Sequence, residues 1–423
     1  MNRQMIPVLF LLLGGSAGLA SPVQAQLVGG PEIVVNAGRA GHQGIPDVAV
    51  APDGHSVVVW VDGFFPANVM ARVLAADGTP RTGDLRVSTS EPDFQDHPRV
   101  AMAANGNFVV VWQARASSTE PSRVYGRRFN AAGQPLGLRF RLGIGYHLEQ
   151  SVPDVACAPN GRFVVAWTEN DGKFQPDGEP MTDVLARRFA ADGHALGTEW
   201  IASGGWYNQY SPKLAINTSG AFVIAVEGYD ESDAHDDGST YVYGIAYGAD
   251  GKLLHPIYLY GVFSLDQSFP AVALADDGTS ILAWKDSQAD DSNDDNYWAN
   301  APGILAQRFD IAGTRTGEPI QVNTTITDVQ SEPSIAWAPG GFVVVWTSAG
   351  GQDGDGKGVF AQRLNLDGSK IGPETALATW TAGDQSLPVV GMAPNGRGLA
   401  VWQSEGGDGE DSGIAARQIV AQP

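Results

Sequence analysis

Short apolar runs broken by glycine turns recur along this chain with a period of roughly 50–60 residues. In the second copy, Arg99 to Ala103 is short and apolar, Asn105-Gly106 turns the chain, and Phe108 to Trp112 is a strong β run. After a polar loop come Val124 to Phe129, a turn at Ala132-Gly133, and Leu138 to Leu142. β-branched and aromatic residues in short runs between Gly and Asn or Asp turns predict antiparallel strands, four to a copy. The second strand is apolar at consecutive positions: Val57-Val58-Val59-Trp60, Val109-Val110-Val111-Trp112 and Val343-Val344-Val345-Trp346. Such a strand must be covered on both faces, as happens when small sheets stack face to face. Radially stacked four-stranded sheets form a β-propeller.

Seven copies predict an all-β, seven-bladed propeller with four antiparallel strands per blade. The frame of each copy is a glutamine three places before a proline, at Gln43, Gln95, Gln150, Gln209, Gln267, Gln330 and Gln385. Trp60, Trp112, Trp167, Trp284 and Trp402 follow the proline by fourteen residues and Trp346 by thirteen, while Val226 takes the place in copy four. The seventh copy runs out after its third strand, Gly413 to Val420. Its missing outer strand should resemble Gly317 to Asn323 of copy five, and Gly30-Pro31-Glu32-Ile33-Val34-Val35-Asn36 has that form. The N-terminal segment is therefore expected to pair with the C-terminal blade and remove an open sheet edge. The expected boundaries are 1–25 for a signal peptide and 26–423 for one propeller. Its blades fall near 44–90, 96–145, 151–204, 210–262, 268–325, 331–379 and 386–420 plus 30–37.

Arg3, the apolar run Ile6 to Leu13 and the small-residue site Val23-Gln24-Ala25 read as a secretory signal, so a secreted or periplasmic protein is expected. No stretch approaches the ~20 apolar residues of a membrane span, so membrane insertion is not expected. Cys157 is the only cysteine and reads as a buried thiol in an apolar strand, which leaves stability to packing. The net charge is −21. It repels nucleic acid and anionic membranes and excludes both as partners.

The loops after the second strands are acidic. Asp290, Asp291, Asp294, Asp353, Asp355 and Asp408 could supply the hard oxygen ligands that Ca²⁺ takes, although none has EF-hand spacing. Solvated surface acid is the plainer reading. Eight of the eleven tyrosines fall between Tyr207 and Tyr260, around the copy that lacks its tryptophan. Trp206, Tyr207, Tyr210, Tyr229 and Trp298 are the candidate ligand-binding residues, because flat faces with hydrogen-bonding edges suit sugars or a protein. Tyr241, Tyr243 and Tyr247, at alternating strand positions, read as packing. The seven glutamines read as hydrogen-bonding neighbouring backbone, and the third-strand arginines (Arg72, Arg127, Arg128, Arg187, Arg188, Arg308, Arg363, Arg417) as pairing with nearby acids.

No nucleophile elbow, His-Glu-x-x-His helix or phosphate loop is present. A carboxylate pair for polysaccharide cleavage leaves no sequence spacing, so that chemistry stays open. The run Pro-x-x-x-x-x-Pro-x-Gly-x-Phe-Val-Val-x-Trp ending at Trp167, with Gly-Ile-x-Ala-Gln-Arg-Phe-Asp-x-x-Gly at Gly303 to Gly313, resembles repeats of exported bacterial β-propeller proteins. The resemblance spans the mature chain, implies the repeat and carries no site residues. The expected function is a non-catalytic propeller that binds an extracellular glycan or protein through its acidic, aromatic rim, with Ca²⁺ as a candidate cofactor. The alternative is a secreted polysaccharide hydrolase or lyase that uses rim carboxylates.

Overall fold

The computed structural model describes residues 27, 29–38, 40–64, 66–88, 94–144, 149–174, 180–204, 208–230, 239–259, 266–287, 303–326, 328–406, 409 and 411–421. Among them all regular structure is β, arranged as seven four-stranded antiparallel blades. Blade 2 shows the plan: Phe94–Met102 is innermost, followed outward by Phe108–Arg115, Arg123–Phe129 and Phe140–Arg141. The other inner strands are Gln43–Val50, Gln150–Cys157, Gln209–Ile216, Asp266–Leu274, Gln330–Ala338 and Gln385–Met392. Each packs on the inner strand of the next blade, and the seventh packs on the first. A single parallel pair, Thr240 with Asp266, also ties blade 4 to blade 5.

The ring closes as the sequence predicts. Ile33–Val34 is the outer strand of blade 7, with Ile33 opposite Ala416 and Val34 opposite Ala415. Polar contacts lock it. Glu32 Oε2 accepts from Thr379 Oγ1 at 2.6 Å and from Trp380 N at 3.1 Å, and Asn36 Oδ1 accepts from Ile414 N at 2.8 Å.

The core sits between blades because the second strands are apolar on both faces. Val109 and Val111 pack toward blade 3, whereas Val110 and Trp112 pack toward blade 1. The six repeat tryptophans are among the largest fully buried side chains, and truncating such an aromatic costs about 3–5 kcal/mol. In blade 4, Val226 shares its core with Phe222 and Tyr247, and Tyr247 also meets Trp200 edge-on. Tyr247 is thus packing, as its position implied.

The seven glutamines are all buried. Gln267 Oε1 accepts from Val242 N of the preceding blade at 3.1 Å, while Gln330 Oε1 accepts from Trp346 Nε1 within its own blade at 2.9 Å. The arginines differ from expectation. Arg127 Nη1 donates to Val87 O, Arg187 Nη1 to Leu142 O and Arg417 Nη1 to Leu377 O, each at 2.9–3.0 Å on the preceding blade. Arg128 and Arg188 instead reach carbonyls of the following blade. Guanidinium forks satisfy backbone acceptors at the blade seams, while Arg72 also lies 3.7 Å from Asp84. Cys157 is half-buried, and burial pushes its thiol up to about 12.

Candidate functional site

Strand pairing decides which residues share the channel mouth. Gln43 pairs with Asp62 and Gly44 with Val61, so each inner strand begins where the second strand ends, on one rim. At this rim the residue before every repeat proline is left-handed. Ile45, His97, Val152, Ser211, Phe269, Glu332 and Leu387 have φ between 46° and 55°. A non-glycine residue held there costs of order 1–3 kcal/mol. It marks a β-bulge, since the register shifts across these residues in all seven blades. The bulge frees an amide from the ladder, and in several blades a side chain of the preceding blade caps it. Val152 N donates to Gln113 Oε1 at 2.7 Å, Phe269 N to Glu227 Oε2 at 3.2 Å, and Leu387 N to Glu332 Oε2 at 2.8 Å.

Glu227 is the acid with the most chemistry around it. It follows Val226, which holds the tryptophan position of blade 4, and it stands opposite Tyr210 in the ladder. Its side chain is buried, and burial raises its pKa. The Phe269 amide, the Tyr210 hydroxyl and the Lys285 ammonium favour the ionised form and hold the rise in check. Tyr210 is itself pushed up by burial, by the Glu227 charge and by neighbouring Tyr229. Lys285 lies 6.0 Å from the centre of the Phe269 ring, and that ring is 47% exposed at the rim. A buried carboxyl, a phenol, an ammonium and an open aromatic face thus meet at the seam of blades 4 and 5. A perturbed carboxyl with its own proton partners is the arrangement that general acid–base chemistry needs.

Further along the inner strands lies a second set of charges. Asp47, Arg99, Asp154 and Lys213 each directly follow the repeat proline in blades 1 to 4, where blades 5 to 7 carry Ala271, Ser334 and Val389. Asp47 Oδ2 accepts from Val100 N at 2.7 Å and Asp154 Oδ2 from Leu214 N at 2.6 Å, each on the following blade. Arg99 Nε is 3.9 Å from Asp154 Oδ1. Burial raises the pKa of both acids against the pull of Arg99, and burial lowers that of Lys213 against the pull of Asp154 and Asp47.

Among the sequence-predicted residues, Tyr210 and Tyr229 meet at this mouth. Trp206, Tyr207, Trp298, Asp290, Asp291, Asp294 and Asp408 lie outside the described residues. Asp353 and Asp355 sit in the loop of blade 6, where burial raises Asp353 and the charges of Asp355 and Asp384 add to it. Among the described residues no group of three or more His, Cys, Asp or Glu is placed to hold a metal ion. The calcium expectation is carried by the sequence alone. Sequence reasoning missed Glu227, Lys285 and Phe269. The available signal was repeat phase: Glu227 and Lys285 directly follow the tryptophan position, and Phe269 directly precedes the proline.

No protein-family model matches the chain, and no curated relative is found by sequence. Solved structures share its fold. A protein of unknown function from Dyadobacter fermentans aligns at 13% identity over 79% of this chain and 97% of its own, with a TM-score of 0.54. A polysaccharide lyase aligns at 9% identity over 89% and 90%, with a TM-score of 0.51. The α-L-arabinanase of Penicillium chrysogenum aligns at 10% identity over 92% and 97%, with a TM-score of 0.50. At these identities the likeness establishes a propeller. Against the expectation of a non-catalytic binder, both of these neighbours with a stated activity are enzymes that act on glycans.

Proposed function

We propose that this chain is an exported enzyme that cleaves an extracellular polysaccharide at the mouth of its channel, with Glu227 as the proton-transfer group. The observation that carries the reading is the burial of Glu227 against the Tyr210 hydroxyl, with Lys285 within electrostatic reach. A carboxyl whose pKa is raised keeps its proton to higher pH than an ordinary carboxyl and can deliver it to a glycosidic oxygen as the bond breaks. The exposed Phe269 ring offers a flat face for a sugar, and Tyr210 and Tyr229 offer hydroxyl edges. The neighbouring folds include a polysaccharide lyase and an arabinanase, which supports a glycan as substrate. The signal-like N-terminus supports a secreted or periplasmic location, and no helix among the described residues is long and apolar enough to cross a membrane.

Two chemistries fit the mouth. Hydrolysis needs a second carboxylate across the cleaved bond. Elimination needs a cation to neutralise a uronate, and Lys285 is a cation whose charge acts on Glu227. Product analysis on neutral and uronate-containing polysaccharides separates them. An unsaturated uronate at the new non-reducing ends indicates a lyase, and new reducing ends with no unsaturated product indicate a hydrolase. Release of no oligosaccharide from either class removes the proposal.

A further inference from the structure

On the face opposite the mouth, adjacent blades are joined by a repeated contact. The residue before the last position of the third strand reaches the turn of the next blade: Arg128 Nη1 to Ala191 O at 2.9 Å, Arg188 Nη1 to Ala249 O at 2.9 Å and Arg308 Nη1 to Asp367 O at 2.8 Å. Gln418 does the same to Ala76 O at 2.8 Å. Each of these side chains fills the wedge between two blade ends. Blade 4 departs from the pattern with Ala246 at this position, as blade 1 does with Val73.

The turn of blade 5 is instead reached from the outer strand of blade 4. A ring nitrogen of His255 (Nε2) lies 2.9 Å from Ile311 O, and the imidazole lies against Gly313, as the Arg188 guanidinium lies against Gly251. The imidazole ties the blades together and leaves the wedge open. A cleft of about 170 Å³ opens there. Its walls are Tyr247, Leu254, Ile257, Leu274 and Ile311, and Asp276 and Asp277 stand at its edge. The corresponding turns of the other blades hold Asp53, Asn105, Asn160, Ser219, Gly340 and Asn395, so blade 5 alone sets two adjacent acids there. Among the seams without a cation at this position, this one carries the two carboxylates. Asp276 Oδ1 accepts from Thr218 N at 2.9 Å and Asp277 Oδ1 from Thr279 N at 2.8 Å, which leaves their second oxygens for a ligand.

We infer that this cleft between blades 4 and 5 receives the side chain of an arginine presented by a partner protein, which takes the place of the cation the repeat omits. The apolar walls suit the aliphatic stem, and the two carboxylates suit the guanidinium, which pairs with such groups in a forked geometry. The negative chain as a whole favours the approach of a basic partner. The site is remote from Glu227 and independent of the proposed cleavage.

The test titrates the full protein with N-acetyl-arginine amide and, separately, with its neutral isostere N-acetyl-citrulline amide, followed by calorimetry or NMR. Arginine amide is expected to bind at least about tenfold more tightly, a difference of about 1.4 kcal/mol. Ala246→Arg refills the wedge as at the other seams, and should fold, melt higher and lose binding. Asp276→Asn with Asp277→Asn keeps the cleft open and should weaken arginine amide at least about tenfold. Equal affinity for the two amides, no binding of arginine amide, or full binding by the doubly substituted protein overturns the inference. Should Ala246→Arg fail to fold, the asparagine pair decides.

Discussion

Tyr210 stands directly opposite Glu227 in the first strand pair of blade 4, and its hydroxyl bonds the Glu227 carboxylate. This pair joins a rim aromatic that the sequence singled out to a carboxyl it did not. Replacing Glu227 with Gln keeps an acceptor for the Phe269 amide but removes the transferable proton. Polysaccharide cleavage should fall by about 10²–10⁴-fold, with a melting temperature close to that of the parent. Steady-state rates and a thermal melt on the same sample check both halves.

The surroundings of Glu227 also fix the sign of a pH effect. Tyr210 and Lys285 both favour the ionised carboxylate, so Tyr210→Phe or Lys285→Met should raise its pKa further. A proton donor is lost as pH rises through its pKa, so the alkaline limb of the pH–rate profile should move to higher pH in both variants. An unmoved limb assigns the proton transfer to another group.

The charges in the channel make a separate prediction about stability. Burial raises the pKa of Asp47 and Asp154, so the folded state holds their protons more tightly than the unfolded chain does. Their contribution to stability therefore falls as pH rises through that raised range, and the nearby cations offset the fall. Lys213→Met removes one offset. It should cost up to the roughly 3–5 kcal/mol of a broken buried pair. Asp47, raised to about 6, ionises while Lys213, lowered to about 8, still keeps its proton, so denaturant midpoints should show a larger loss at about pH 7 than at about pH 5.

Ring closure gives a fourth, structural expectation. Asn36 bonds both Ile414 N and Gln43 Oε1, linking blade 7 to blade 1. Asn36→Ala strands these buried partners and should destabilise the protein by about 1–3 kcal/mol. Deleting residues 30–36 should expose the edge of Ser412–Val420 and yield an aggregating product. Size-exclusion chromatography of the deletion, with a soluble monomer of unchanged melting temperature as the contrary result, checks the closure.

The architecture was legible because packing repeats. Val-Val-Val-Trp strands must be covered on both faces, and the likeness of residues 30–36 to 317–323 predicts the closure. The arginines were misread because they satisfy carbonyls of neighbouring blades, and a carbonyl acceptor leaves no mark in the sequence. Glu227 was passed over for a similar reason. Attention went to acids clustered in loops, whereas its character comes from burial and from Tyr210, Phe269 and Lys285, which lie 17 residues before and 42 and 58 residues after it in the chain. Only its phase within the repeat pointed to the channel mouth.

The most direct measurement follows the size distribution of uronate-containing and neutral polysaccharides incubated with the parent protein and with Glu227→Gln. Depolymerisation by the parent and none by an equally stable Glu227→Gln protein is the predicted result. Intact polymer in both incubations, or equal depolymerisation by both proteins, contradicts the assignment of Glu227 as the proton-transfer group of a polysaccharide-cleaving enzyme.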